Sequence, residues 1–460
     1  MEGKMMDFIK ELQNLLPSDR ISTNETILEQ HSKDESHHEP ATPQVVVFPL
    51  HTEEISRIMQ VASKYRIPVF PFGVGSSLEG HVIPYGGGIT IDLSLMDQIV
   101  EIRDKDFLVK VQPGVTRSKL NKELKKHGLF FPVDPGADAT IGGMAATNAS
   151  GTTSVRYGIM RDQVRNLEVV LADGTVTHTG NLASKSSSGY HLNSMFVGSE
   201  GTLGVFSEIT LKVYGIPEAI MAARAIFSEI EDAVNAVASI LQAGIPIARC
   251  ELVDARSVKQ VNIYSKTSYQ EKPTLFLEFH GNKAGLAQDV EFTKELLVDQ
   301  GCSDFVFETD SKAVQQLWEA RHHLAYAFLH GFPSLDMMIT DVCVPISELA
   351  GAIIDARQAM DQTGLDGAIL GHVGDGNFHT LLMIDKSKKE DIEKADRYNE
   401  HLVTYALARG GTCTGEHGVG IGKKKYQKLE HGDALNIMSG IKKMLDPQCI
   451  LNPDKIIDKY

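Results

Sequence analysis

Residues 134–151 combine Pro135, Gly136, Thr140, Gly142, Gly143, Ala145, Ala146, Asn148 and Gly151 within eighteen positions. A tract this rich in small residues cannot build a core of its own, yet apolar strand-like runs surround it. The usual reason is that the backbone must pass very close to a ligand. A second tract, PFGVGSSLEG at 71–80, follows the predicted strand 69–72 and leads into further β structure through 89–93. Its N–H groups and hydroxyls can face a phosphate. On its own it reads equally well as a plain glycine turn. It is neither a Walker loop, lacking Gly-Lys-Ser/Thr, nor a Rossmann fingerprint, since strand rather than helix follows. A third piece, GSEGTLG at 198–204, again runs into strand (205–213). Separated backbone surfaces of this kind suit a long, extended dinucleotide such as FAD.

The 460 residues suggest two or three domains, and 42% apolar and 23% charged residues are ordinary globular values. A net charge of −15 argues against nucleic acid or an anionic membrane surface as partner. The run Lys423, Lys424, Lys425 reads as a solvated face. Cys250, Cys302, Cys343, Cys413 and Cys449 are scattered without a CxxC pair, which excludes an encoded iron–sulfur cluster or structural zinc site and fits reduced thiols. Residues 1–10 have no apolar signal region and no window of eighteen apolar residues occurs. The expectation is a cytoplasmic protein, held at a membrane only through a partner.

Residues 1–40 begin helical and turn polar, with His31, His37 and His38 read as surface beside Asp34, Glu35 and Glu39. A strand at 45–50 and an amphipathic helix at 52–66 follow, with Ile55, Ile58, Met59 and Ala62 on one face. From 217 the grain becomes strand 222–227, helix 230–242, strands 247–253 and 274–279, helix 286–298 and strand 305–307, an order that suggests a ferredoxin-like α+β layer. Next come a helix at 314–329 carrying Trp318 and Arg321, a strand at 337–344, and helices at 349–363, 392–408 and 434–445. Between the helices at 349–363 and 392–408, GHVGDGNFH at 371–379 reads as strand, tight turn, strand. His372 and His379 at the mouth of one hairpin can converge on a cation. Glu416 and His417 lie in a further glycine-rich loop, and two His with one Glu suit a catalytic divalent metal with an open position. Singly, each His is more simply a core residue; together they favour metal.

The strings PFGVGSSLEG, DPGADATIGGMAATNASG and GSEGTLGV resemble the flavin-binding elements of the vanillyl-alcohol-oxidase superfamily, the PCMH-type FAD domain. The motifs WEARH (318–322), TDVCVP (340–345), GHVGDGNFH, GTCTGEHG (411–418) and LNP (451–453) resemble the FAD-linked oxidase C-terminal domain. That domain occurs in cytochrome-type D-lactate dehydrogenases, glycolate oxidase flavin subunits and D-2-hydroxyglutarate dehydrogenases. The resemblance runs from about 43 to 452. It implies an α+β fold: an N-terminal helical segment (1–40), a two-part FAD-binding domain (41–216), a ferredoxin-like cap carrying the substrate site (217–430), and a C-terminal helix and tail (431–460) returning to the flavin domain. The FAD contacts it implies are Gly73, Gly75, Ser76, Ser77, Gly80, Pro135, Gly136, Thr140, Gly142, Gly143, Asn148, Gly151, Glu200, Gly201, Gly204 and Asn452. Binding is expected to be non-covalent, because His81 sits one place beyond the usual attachment position.

The resemblance implies oxidation of a small D-2-hydroxy acid, D-lactate or glycolate, to the 2-oxo acid. Arg321 would clamp the carboxylate, His372, His379 and Glu416 would hold zinc, manganese or iron, and His417 would be the general base. In the hydroxyglutarate enzymes a lysine stands two residues before the Asp of TDVCVP; here Ile339 does, which counts against a dicarboxylate. The chain encodes no second redox centre, so electrons would leave for an external acceptor: a quinone, a cytochrome, an electron-transfer protein or an iron–sulfur subunit. A homodimer is compatible with this scheme. Two other classes compete. A metallohydrolase would have no use for three glycine tracts, and a non-catalytic flavin subunit of a glycolate oxidase complex would not need Arg321 or His417.

Overall fold

The computed structural model describes residues 2–459, apart from the side chains of residues 2–6, Ala320 and His322. Contacts divide the chain into two compact units. One comprises Met1–Ser150, Gly158–Ile216 and Glu416–Tyr460, and the other Gly151–Tyr157 and Pro217–Gly415. Residues 416–430, read with the cap in the sequence, therefore group with the first unit, where Val419 and Gly420 are bonded to Glu200.

The first unit holds two main sheets. In one, β2 (Val45–Val47) and β3 (Val69–Phe72) run parallel to β4 (Ile89–Asp92) between them, and β1 (Ile21–Ser22) lies antiparallel on the outer edge of β2. A parallel pair needs a crossover, and helix Thr52–Tyr65 supplies it. It buries Ile55, Ile58, Met59 and Ala62, each worth roughly 1.5–3 kcal/mol for the larger side chains. It ends where Arg66 turns left-handed at φ 55°. The second sheet is antiparallel: β5 (Ile99–Arg103), β6 (Leu108–Val111), β9 (Val205–Lys212), β7 (Val164–Val170) and β8 (Val176–His178), in that spatial order. The tail returns to this unit. Ile450 accepts from the Val69 N–H at 2.7 Å, Asn452 donates to the Val69 carbonyl at 2.8 Å, and Ile450 and Leu451 join the core under β3.

The second unit is built on one antiparallel sheet. Its order is β13 (Asp304–Glu308), β10 (Ala219–Ile226), β12 (Thr274–Gly281), β11 (Ile247–Val253), β15 (Gly367–His372), β16 (Asn377–Ile384), β14 (Asp336–Ile339). On one face Val258, Val261, Trp318, Leu324 and Phe328 pack over Ala222, Val253, Phe276, Ala368 and Leu381. The α+β layer expected from the sequence is this sheet with its helices.

Several local expectations fail for identifiable reasons. His31 is buried, not surface, because its ring bridges the Ile27 carbonyl (2.7 Å) and Asp92 (2.9 Å). Asp34 is buried too, accepting from Ser77 Oγ, Ser36 N–H and the His81 N–H. His38 is half-buried, and burial followed by His37 brings its pKa down to about 4; only His37 is exposed. Lys423 is buried rather than solvated. The helix expected at 314–329 is two, Ser311–His322 and Leu324–Gly331, joined at His323. The strand expected at 337–344 is interrupted at Thr340 and Asp341: the Thr340 N–H still donates to the Thr380 carbonyl (3.0 Å), but the Asp341 side chain bonds to Asn377. No disulfide joins the cysteines among the described residues.

Candidate active site

The glycine tracts of the first unit interlock. A Cβ on Gly73 would lie 2.5 Å from Thr140 Oγ1, and one on Gly201 would lie 3.0 Å from Pro71. The N–H groups of Gly198 and Glu200 donate to the carbonyls of Ala145 and Ala146 at 2.9 and 2.8 Å. Thr140 caps helix Ile141–Thr147, accepting from the Gly143 N–H, and Asn148 closes it at φ 53° while its Oδ1 accepts from the Arg161 N–H. Gly142 packs on Pro113 and Gly204 on Val169. Gly75 and Gly80 both adopt positive φ, and Pro135 and Gly136 precede the cap on partly exposed backbone. Asn452 joins the group through its Nδ2, which donates to the carbonyls of Glu200 (2.6 Å) and His81 (3.0 Å). Of the candidate flavin contacts, Gly151 alone falls in the second unit, bonded to Ser154.

This framework fits a phosphate-bearing cofactor. Among the described residues, none of the N–H groups of Val74, Gly75, Ser76, Ser77 and Leu78 is spent on the protein. A run of amides like this is an anion cradle. Ser199 Oγ and Asn452 Oδ1 are likewise buried polar atoms without a protein partner. Glu200 plays another part. Its carboxylate accepts from the Val419 N–H (2.6 Å) and Gly420 N–H (2.8 Å), and the His81 ring lies 3.3 Å away. A Cβ on Gly418 would meet both His81 and Glu200, and Gly418 has φ +85°, so this turn demands glycine. Glu200 thereby anchors the segment carrying Glu416 and His417. Burial would lower the His81 pKa, but the carboxylates of Glu200, Asp34 and Glu79 together outweigh it and raise it. Glu416 itself accepts from Ser150 Oγ at 2.7 Å.

In the second unit the hairpin forms as read, with Leu370 opposite His379. The turn needs Gly376: its φ is +86°, and a Cβ there would come 2.1 Å from the Val344 carbonyl. The His372 and His379 rings face edge to face, centroids 5.4 Å apart. His372 Nδ1 is 2.6 Å from Glu251 Oε1, and His379 Nδ1 is 3.2 Å from the Thr340 carbonyl. Bonding at Nδ1 fixes each ring and assigns any cation binding to Nε2, the usual outer arrangement of a metal-binding imidazole. The donor set therefore fits a divalent metal.

Two residues here escaped the sequence reading. Glu251 is fully buried and also accepts from Arg321 Nε (3.1 Å) and Nη2 (2.8 Å). Burial pushes its carboxyl up, but His372 and Arg321 outweigh that and hold it below the ordinary carboxylate range. Asp341, also fully buried, accepts from Asn377 Nδ2 (2.7 Å), Thr414 Oγ1 (2.6 Å) and the Gly415 N–H (2.8 Å), fixing the chain immediately before Glu416. A signal for Glu251 existed: an acid inside the apolar strand IARCELV requires a buried partner.

Among the described residues no helix is long and apolar enough to cross a membrane. Residues 43–180 match the FAD binding domain model, and residues 216–456 match FAD linked oxidases, C-terminal domain. The chain is 44% identical to a probable mitochondrial D-lactate dehydrogenase of Danio rerio, over 98% of this chain and 91% of that one. It is 41% identical to a mitochondrial D-lactate dehydrogenase [cytochrome] of Arabidopsis thaliana (97% and 81% covered). It is 33% identical to glycolate oxidase subunit GlcD of Bacillus subtilis strain 168 (91% and 89% covered). The fold matches p-cresol methylhydroxylase with substrate bound at TM-score 0.81 and 18% identity, covering 100% of this chain and 98% of that one. The chain belongs to the FAD-linked oxidase family and is an FAD-dependent oxidoreductase.

Proposed function

We propose that this flavoenzyme oxidises a short D-2-hydroxy monocarboxylate, D-lactate or glycolate, to the 2-oxo acid and passes the electrons to an external acceptor. The observation that carries the proposal is the pairing, in one unit, of a part-buried guanidinium with two Nδ1-anchored imidazoles. The relatives named D-lactate dehydrogenase and glycolate oxidase support the substrate class. FAD, when bound, supplies the two-electron acceptor; its holders are the residues of the three glycine tracts and Asn452, without a covalent link. A divalent cation, when bound, supplies a Lewis acid; its holders are His372, His379 and Glu416, a set that suits zinc, manganese or iron. Arg321 grips the substrate carboxylate through the guanidinium donors that Glu251 leaves over. His417 takes the hydroxyl proton. Ile339, at the end of β14, offers no second cation for a dicarboxylate. The domain roles follow: residues 41–216 bind flavin with the returning tail, and the 217–430 segment supplies the substrate groups. Relatives named mitochondrial lend no support to a cytoplasmic location.

Replacing His417 tests the assignment of base and ligands together. His417→Asn should stay yellow and keep its metal, while substrate-driven flavin reduction falls roughly a hundredfold or more, the usual range for losing a general base. His372→Ala, His379→Ala and Glu416→Ala should each lose metal. Metal loss in His417→Asn equal to that in His372→Ala would make His417 a ligand and refute its role as base.

A further inference from the structure

We infer that Glu251 is a positioning residue that sets the clamp and the metal ligand against each other, an inference that rests on the roles proposed for Arg321 and His372. Register creates the contact: β11 pairs antiparallel with β15, and Glu251 is the direct cross-strand partner of His372. One carboxylate oxygen, Oε1, holds the His372 Nδ1–H at 2.6 Å. The other, Oε2, takes both Nε–H and one Nη2–H of Arg321. Arg249, two residues earlier on the same face, lies 3.4 Å from Glu278 and over the Trp318 ring.

The consequence is specific in atoms. Guanidinium carries five N–H donors in a rigid plane. With two committed to Oε2, the edge formed by Nη1 and the remaining Nη2–H is the one presented to a substrate carboxylate. The same carboxylate keeps the imidazole proton on Nδ1, so the Nε2 lone pair points to a cation. Glu251 thus fixes the spacing between carboxylate grip and cation, and with it the preference for a hydroxyl on the carbon next to the carboxylate.

Glutamine is the discriminating substitution, because it has one acceptor where glutamate has two. If the amide oxygen stays on His372, the NH2 meets the Nε–H and Nη2–H donors and the guanidinium must swing away. If the oxygen faces Arg321, the NH2 meets Nδ1, which can accept only when the ring proton moves to Nε2 and blocks the metal. Either way one function is lost.

The test uses flavin-loaded wild-type, Glu251→Gln and Glu251→Asp proteins. Calorimetry gives the Kd for Co²⁺ added to chelator-treated protein. Pyruvate titration, followed by the flavin spectrum without metal, gives the Kd for a carboxylate. For Glu251→Gln with wild-type circular dichroism and flavin content, at least one Kd should rise tenfold or more, the scale seen when a partner behind a metal-binding histidine is lost. Should Glu251→Gln fail to fold, Glu251→Asp carries the same expectation, since its arm is one methylene short of spanning both partners. Both constants within twofold of wild type, in whichever variant folds, would overturn the inference and leave the roles of Arg321 and His372 standing. Wild-type protein that binds no Co²⁺ would overturn the metal reading and the inference with it.

Discussion

Lys442→Met should loosen the flavin-binding unit by severing the C-terminal tail's buried anchor. Lys442 Nζ, in helix Ala434–Leu445, donates to the Thr202 carbonyl (2.7 Å), the Leu451 carbonyl (2.7 Å) and Asp446 Oδ2. Asp446 is fully buried and also accepts from the N–H groups of Ile450 and Leu451. Burial lowers the Lys442 pKa despite its partner, so desolvation is already strained against attraction. Methionine fills most of the volume but leaves a buried carboxylate without its cation and two carbonyls without a donor. Breaking a buried pair from one side costs about 3–5 kcal/mol. With an m-value near 3 kcal/mol/M in urea, 4 kcal/mol lowers the midpoint by about 1.3 M. Flavin fluorescence on release reports this unit, because the tail it tests carries Asn452. Lys442→Met/Asp446→Leu should recover most of the loss, since a matched apolar pair is often near neutral. A midpoint shift below about 0.3 M, or a double variant no better than the single, would refute the reasoning.

Two further outcomes are expected. Lys455 is buried with its Nζ on the Ile83 carbonyl (2.9 Å), and burial brings its pKa down to about 8 from 10.5. Because the unfolded chain keeps that proton up to about 10.5, its penalty, on the order of 3 kcal/mol, is fully present below pH 8 and fades as pH rises to 10.5. Lys455→Met should therefore raise the urea midpoint at pH 7 and flatten its rise across that window; a lowered midpoint with the rise intact would contradict this. Acid precipitation should release all the flavin, whereas colour left on the denatured chain would implicate His81.

Patterns of short range were legible in the sequence. The hairpin at 371–379 announced itself because glycine, Asp and Asn stood between apolar runs, and helix 230–242 because its apolar period was intact. What depended on distant pairing was not. Glu251 meets His372 only because β11 and β15 are neighbours, 121 residues apart in sequence. His31 looked like surface among acids until Asp92, 61 residues on, came to meet it. Lys423 sat in a basic run whose neighbours, Lys424 and Lys425, remain partly exposed or exposed. The interruption at Thr340 and Asp341 arises because Asp341 bonds to Asn377, Thr414 and Gly415, none of them local.

Anaerobic flavin reduction, with each substrate added in stoichiometric excess to the metal-loaded enzyme, tests the proposed chemistry most directly. D-Lactate or glycolate should bleach the flavin fastest, L-lactate should be at least tenfold slower, and D-2-hydroxyglutarate should be slower still because Ile339 offers no second cation beside Arg321. Bleaching by L-lactate at the D-lactate rate, or faster bleaching by D-2-hydroxyglutarate than by either monocarboxylate, would contradict the assignment.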